Sequence, residues 1–137
     1  MKKYLFIIIL LFILGCKKDD NSNIPFVHVN IFMQTTDPQF IGLNAVNSWI
    51  YLAGGSRGII VYKVSNDQFR AFDRHCTFQP QNTCALVSME TNNISGLDAC
   101  CGSRFLVTDG SVLNGPAVFP LREYNTSFDG ATLHIFN

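Results

Sequence analysis

The stretch Asp98-Ala99-Cys100-Cys101-Gly102-Ser103-Arg104-Phe105 constrains this chain more than any other. Glycine and serine favour a turn over the interior of a strand. Two adjacent cysteines mark the same turn for cross-linking or ligation. A second cysteine-bearing loop runs from Arg74 to Cys84 and contains Cys76 and Cys84; a third, Asn114-Gly115-Pro116-Ala117, follows downstream. The rest of the chain is expected to be β-structure that gathers these three loops.

Residues 1–15 read as a signal peptide. Lys2 and Lys3 form a positive start, and Tyr4 to Leu14 is an unbroken apolar run. That run is shorter than the roughly 20 residues a membrane-spanning helix needs. Gly15-Cys16 resembles the end of a bacterial lipobox, which implies cleavage before Cys16 and lipidation of its thiol. An uncleaved N-terminal anchor is the alternative. Residues 16–25 are expected to be a flexible tether, because Lys17 to Asn23 is polar without an apolar period. Its lysine-then-acid pattern also resembles the export signal of some surface lipoproteins. Residues 26–137 are expected to form one domain. The expected location is the bacterial cell envelope, lipid-anchored, at the outer membrane or cell surface. The membrane is then one partner, through Cys16, beside an unidentified protein or small molecule. With Lys2 and Lys3 set aside, eight basic residues stand against ten acidic ones. No basic stripe is present, which excludes nucleic acid as a partner.

The body reads as all-β. Val27, Val29, Ile31 and Met33 alternate with His28, Asn30 and Phe32. Further strands are expected at Ser48–Leu52, Gly58–Lys63, Gln68–Phe72, Ala85–Met89, Arg104–Val107, Ser111–Leu113, Leu121–Tyr124 and Thr132–Phe136. The continuous apolar run in Gly58–Lys63 predicts burial of both faces. Asp109-Gly110 and Asp129-Gly130 are hairpin turns. Trp49 and the many phenylalanines are expected in the core. Short strands with frequent turns favour a sandwich or partly open barrel.

Three features in order resemble the Rieske proteins. The run GSRGIIVYKV with FRAFDRHCT resembles the strand pair feeding the first cluster-binding loop. CCGSRF resembles the second loop, and DGSVLNGPAVFPLREY resembles the proline loop, here Gly115, Pro116 and Ala117, with the strand after it. The likeness covers roughly residues 27–136 and is close to small bacterial lipoproteins with a Rieske-like domain. It implies stacked antiparallel sheets with a small loop subdomain carrying the cysteines.

The chemistry departs from that pattern. A Rieske [2Fe–2S] centre has two Cys on one iron and two His on the other. The first loop should read Cys-x-His, and here it reads Cys76-Thr77-Phe78. With Gly102 fixing the register, the second His position is Cys101 and the second Cys position is Asp98. Of the four former ligand positions, only Cys76 keeps its residue, and Phe78 has no lone pair to donate. His75 lies on the wrong side of Cys76 and is expected to be a partly exposed loop residue. In the family, Ser103 is a hydrogen-bond donor to the cluster; here it is expected to shape a turn beside Gly102.

Four cysteines beyond Cys16 favour disulfides in an oxidising compartment. The resemblance implies a Cys84–Cys100 bridge clamping the two loops. Cys76 and Cys101 both fall where the cluster would sit, and a second bridge between them is expected. It needs Cα atoms within about 7 Å; a wider gap leaves two thiols or an adventitious metal site. The swapped pairing, Cys76–Cys100 with Cys84–Cys101, stays open. Phe78 is expected to fill part of the cluster site, buried near Cys101.

The expected function is therefore that of a membrane-anchored Rieske-fold lipoprotein without its cluster, binding or structural, with no metal or other cofactor and no catalytic residues. One alternative is a [2Fe–2S] electron carrier using Cys76, Cys101 and Asp98 or His75. Another is a zinc or redox-active thiol site, although adjacent Cys100-Cys101 lacks Cys-x2–4-Cys spacing. Ser103 lacks the Gly-x-Ser-x-Gly elbow of hydrolases.

Overall fold

The computed structural model describes residues 23–137, so the expected signal peptide, Cys16 and most of the tether lie outside the described residues. In chain order the strands are β1 (Asn30–Gln34), β2 (Trp49–Leu52), β3 (Ile59–Lys63), β4 (Phe69–Asp73), β5 (Val87–Met89), β6 (Ser95–Asp98), β7 (Arg104–Leu106), β8 (Val112–Asn114), β9 (Glu123–Phe128) and β10 (Thr132–Phe136). A short 3-10 helix, Pro38–Leu43, follows the turn expected at Asp37-Pro38. Asp37 caps it by accepting the Gln39 N–H, and Pro38 suits the first helical position, where no N–H is needed.

Six strands form one antiparallel sheet in the order β1-β10-β9-β4-β3-β2, and four form a second in the order β5-β6-β7-β8. The alternation along β3 and β4 explains how two cores arise. Ile59, Val61, Phe69 and Ala71 share one core with Met33 of β1 and with Leu133 and Ile135 of β10. Ile60 and Phe72 face the other way, into a core shared with Cys76, Val87, Phe105, Ala117 and Leu121. Register puts Ile60 opposite Phe72 and Val61 opposite Ala71, so the two strands present matched faces. Since β1 and β3 sit far apart in the sheet order yet share a core, the large sheet curls into a half-barrel. Its outer face at β3 and β4 carries the small sheet. The fold is thus all-β with stacked antiparallel sheets, and β3 is buried on both faces from Ile59 to Tyr62.

Several local expectations are corrected. Ser95–Asp98 is a strand that periodicity does not reveal, because its four residues, Ser-Gly-Leu-Asp, hold one large apolar side chain and a glycine. A Cβ on Gly96 would lie 2.6 Å from Val87 Cγ1, so close pairing with β5 requires glycine there. β9 runs on to Phe128, since polar Asn125, Thr126 and Ser127 pair with β10. Trp49 is half-buried at the β2 edge rather than in a core, and its Nε1 donates to Asn93 Oδ1 at 3.0 Å. Ile24, inside the expected tether, is buried, and Arg122 donates to the carbonyls of Ile24 and Pro25 at 2.9 and 2.8 Å.

Candidate functional site

The three loops meet at one end of the small sheet and are joined by different chemistries. Cys84 and Cys100 form a disulfide with Cα atoms 5.7 Å apart, closing a separation of 16 residues. Thr77 Oγ1 donates to the Phe119 carbonyl at 2.6 Å, tying the first loop to the proline loop. Ser103 Oγ accepts the Ala117 N–H at 2.9 Å, tying the second loop to the same segment. Ser103 therefore does more than shape a turn. The Gly115-Pro116 peptide is cis, and Asn114 Nδ2 donates to the Gly115 carbonyl at 3.0 Å.

Beneath the first loop lies a polar centre that the sequence does not announce. Asp73 is fully buried at the end of β4. Its Oδ1 accepts the backbone N–H of His75 at 2.8 Å and of Arg57 at 3.2 Å. Its Oδ2 accepts Ser56 N–H and Tyr124 O–H, each at 2.6 Å. The guanidinium of Arg57 then reaches the first loop and donates to the carbonyls of Asn82 at 2.6 Å and of Thr83 and Ala85 at 2.9 Å. Gly55-Ser56-Arg57 opens the run that resembles the Rieske strand pair, but the sequence shows no such role for it, because its partners are distant in the chain.

His75 is buried, not a partly exposed loop residue. Its Nε2 stands 2.6 Å from the Pro80 carbonyl and its Nδ1 2.8 Å from Ser56 Oγ. A carbonyl only accepts, so Nε2 carries the proton and neutral Nδ1 accepts from the Ser56 hydroxyl. Burial pushes the His75 pKa below its ordinary value; the Pro80 carbonyl opposes this, while the Arg57 charge adds to it. Both ring nitrogens are engaged, so His75 supplies no ligand to the neighbouring cysteines.

Cys76, Asp98 and Cys101 converge on one point, with ligand atoms all within 4.8 Å of one another. Cys76 and Asp98 are fully buried, and Cys101 is half-buried. Asp98 ends β6, and Cys101 lies across a tight turn in which Gly102 N–H donates to the Asp98 carbonyl at 2.8 Å. Gly102 has φ +82°, a left-handed conformation glycine adopts without Cβ strain. Asp98 Oδ1 accepts Cys100 N–H at 2.8 Å, which aims Oδ2 at Cys101 Sγ, 3.2 Å away. Cys101 Sγ also lies 3.1 Å from Ser103 Oγ. Burial, then the hydrogen bond to Asp98, raises the Cys76 thiol pKa well above its ordinary value.

The expected Cys76–Cys101 bridge is not formed. Both cysteines are thiols, with sulfurs 3.8 Å apart. The swapped pairing is absent too, since Cys84 and Cys100 are bonded to each other. Phe78 is half-buried and packs against the same core as Cys101. Among the described residues, no helix is long and apolar enough to cross a membrane.

No protein-family model and no curated protein matches the chain. Among solved structures, it is similar to the cyanobacterial plasma membrane Rieske protein PetC3 from Synechocystis PCC 6803. That match has 25% sequence identity and a TM-score of 0.57, and covers 80% of this chain and 99% of the other. The fold is Rieske-like. The cluster that such a fold implies does not suit the residues present. A Rieske centre needs two donors on each of two irons. Here three donors converge on one point, and Phe78, packed against the same core, offers only carbon atoms.

Proposed function

We propose that the protein is a lipid-anchored envelope protein on a Rieske scaffold that holds no [2Fe–2S] cluster and acts by binding or structural support rather than as a Rieske electron carrier. The carrying observation is the donor set: Cys76, Asp98 and Cys101 aim at a single point beside Phe78. The disulfide, Thr77, Ser103 and Arg57 join the loops by contacts that need no iron centre, which supports this reading. Lipidation at Cys16 would tether the domain to a membrane through the polar residues that follow.

Iron and acid-labile sulfide are measured on anaerobically purified protein. Neither is expected in stoichiometric amount, and a brown sample with two irons and two sulfides per chain would overturn the reading. Anchoring is tested by growth on radiolabelled palmitate. The wild type should carry the label in the membrane fraction, and Cys16→Ala should carry none.

A further inference from the structure

We propose that Cys76, Asp98 and Cys101 form a binding site for one thiophilic divalent cation of the zinc class, with three protein ligands and an open fourth position. The inference rests on the absence of a [2Fe–2S] cluster from the loops. Its geometry comes from the side chains themselves. Two sulfurs bound to one tetrahedral ion through bonds of about 2.3 Å lie about 3.8 Å apart. Cys76 Sγ and Cys101 Sγ are 3.8 Å apart. A carboxylate oxygen bound at about 2.1 Å would lie about 3.6 Å from either sulfur. Asp98 Oδ2 is 3.2 Å from Cys101 Sγ, a difference that a small carboxylate rotation closes.

The surroundings fit the same use. Metal ligands are oriented by the groups behind them. Asp98 Oδ1 is fixed by Cys100 N–H, leaving Oδ2 free to face the centre. Cys101 Sγ receives the Ser103 N–H at 3.5 Å and lies beside the Ser103 hydroxyl, two groups that can donate to a thiolate. The adjacent pair Cys100-Cys101 is unsuited to one ion, but Cys100 is withdrawn into the disulfide. The working pair is Asp98-x2-Cys101, which has the two-residue spacing of zinc-binding turns, with Cys76 supplied from the other loop. Two thiolates and one carboxylate more than neutralise a dication, and the Ser103 N–H beside Cys101 Sγ faces the excess negative charge. Cys76 and its core neighbours Phe105 and Ala117 keep one side dry, while half-buried Cys101 leaves the other side open. Phe78 contributes no donor, so water or another small donor completes the coordination. That open position distinguishes the centre from a closed structural zinc site.

The test is a titration of the full-length protein, purified anaerobically in detergent without reductant, with Co²⁺ alone and then with Zn²⁺. One equivalent of cobalt should give tetrahedral d–d bands and a thiolate-to-cobalt charge-transfer band, both removed by one equivalent of zinc. Cys76→Ser and Cys101→Ser should each weaken binding by more than about a hundredfold, since loss of an outer-shell partner alone costs about 10–100-fold. Asp98→Asn, nearly isosteric, should keep the charge-transfer band with affinity reduced at least about tenfold. Circular dichroism checks that each variant is folded. Absence of the cobalt bands, their persistence in folded Cys101→Ser, or a Cys76–Cys101 disulfide found by mass mapping would each overturn the inference. The first and third outcomes leave the cluster-free reading standing; stoichiometric iron and sulfide would remove both.

Discussion

Two fully buried aspartates lie on either side of the first cysteine loop, and they are used in opposite ways. Asp73 meets only nitrogen and oxygen donors: three backbone N–H groups and the Tyr124 hydroxyl. Both of its oxygens are satisfied, so it anchors the Ser56-Arg57 turn and, through Arg57, the loop above. Asp98 has one oxygen held by a backbone N–H and the other turned toward the Cys101 sulfur. A buried carboxylate with a complete shell of donors is structural. One with an oxygen aimed at two thiols is a ligand position. Burial alone does not separate these roles; the identity of the partners does.

The comparison sharpens first through matched substitutions. Asp73→Asn turns an acceptor into an –NH₂ facing two donors, and should cost about 3–4 kcal/mol of stability by loss of two charge-assisted hydrogen bonds. Urea denaturation reads this as a lower midpoint with an unchanged slope. Next in size is the disulfide. Cys84→Ser with Cys100→Ser should lower stability by about 3 kcal/mol, from the entropy of a 16-residue separation left open in the unfolded chain. Should this double variant match the wild type, the loops are held by Arg57, Thr77 and Ser103 alone.

A smaller effect appears with pH. The folded-state pKa of Cys76 is raised, so between the unfolded thiol value near about 8.5 and the folded value the native state binds the extra proton. Stability is complete below that unfolded value and falls as pH rises above it, by at most about 1.4 kcal/mol per pH unit for one proton. Denaturation midpoints of wild type and Cys76→Ala across alkaline pH test this; the difference between them should shrink as pH rises. The smallest effect is expected for Asp98→Asn without metal. The Cys100 N–H keeps its acceptor, and the loss should stay below about 1 kcal/mol. A cost equal to that of Asp73→Asn would break the distinction between the two carboxylates.

The fold was largely legible in the chain. The continuous apolar run Ile59–Tyr62 marks a strand buried on both faces, and Phe69 with Ala71 marks its partner. The Asp-Gly pairs mark hairpins. β6 was hidden because pairing, not alternation, makes it a strand, and Gly96 serves an approach to Val87 that no local pattern records. At the site, the Rieske resemblance located Cys76, Phe78, Asp98 and Cys101. It gave no role to Asp73, Ser56, Arg57 or Tyr124, which lie within the matching runs but look like ordinary turn and strand residues until the chain brings them together.

The sequence by itself determined which donor atoms exist: sulfur at positions 76 and 101, oxygen at 98, and carbon at 78. Covalent composition fixes what can be ligated or cross-linked, whatever the fold. Only the tertiary structure decided which of these atoms meet. It paired Cys84 with Cys100, left Cys76 and Cys101 as thiols 3.8 Å apart, and buried His75 between Ser56 and Pro80. The physical reason is reach. Bonds and hydrogen bonds act over a few ångströms, and residues far apart in the chain come within that range only where the sheets place them.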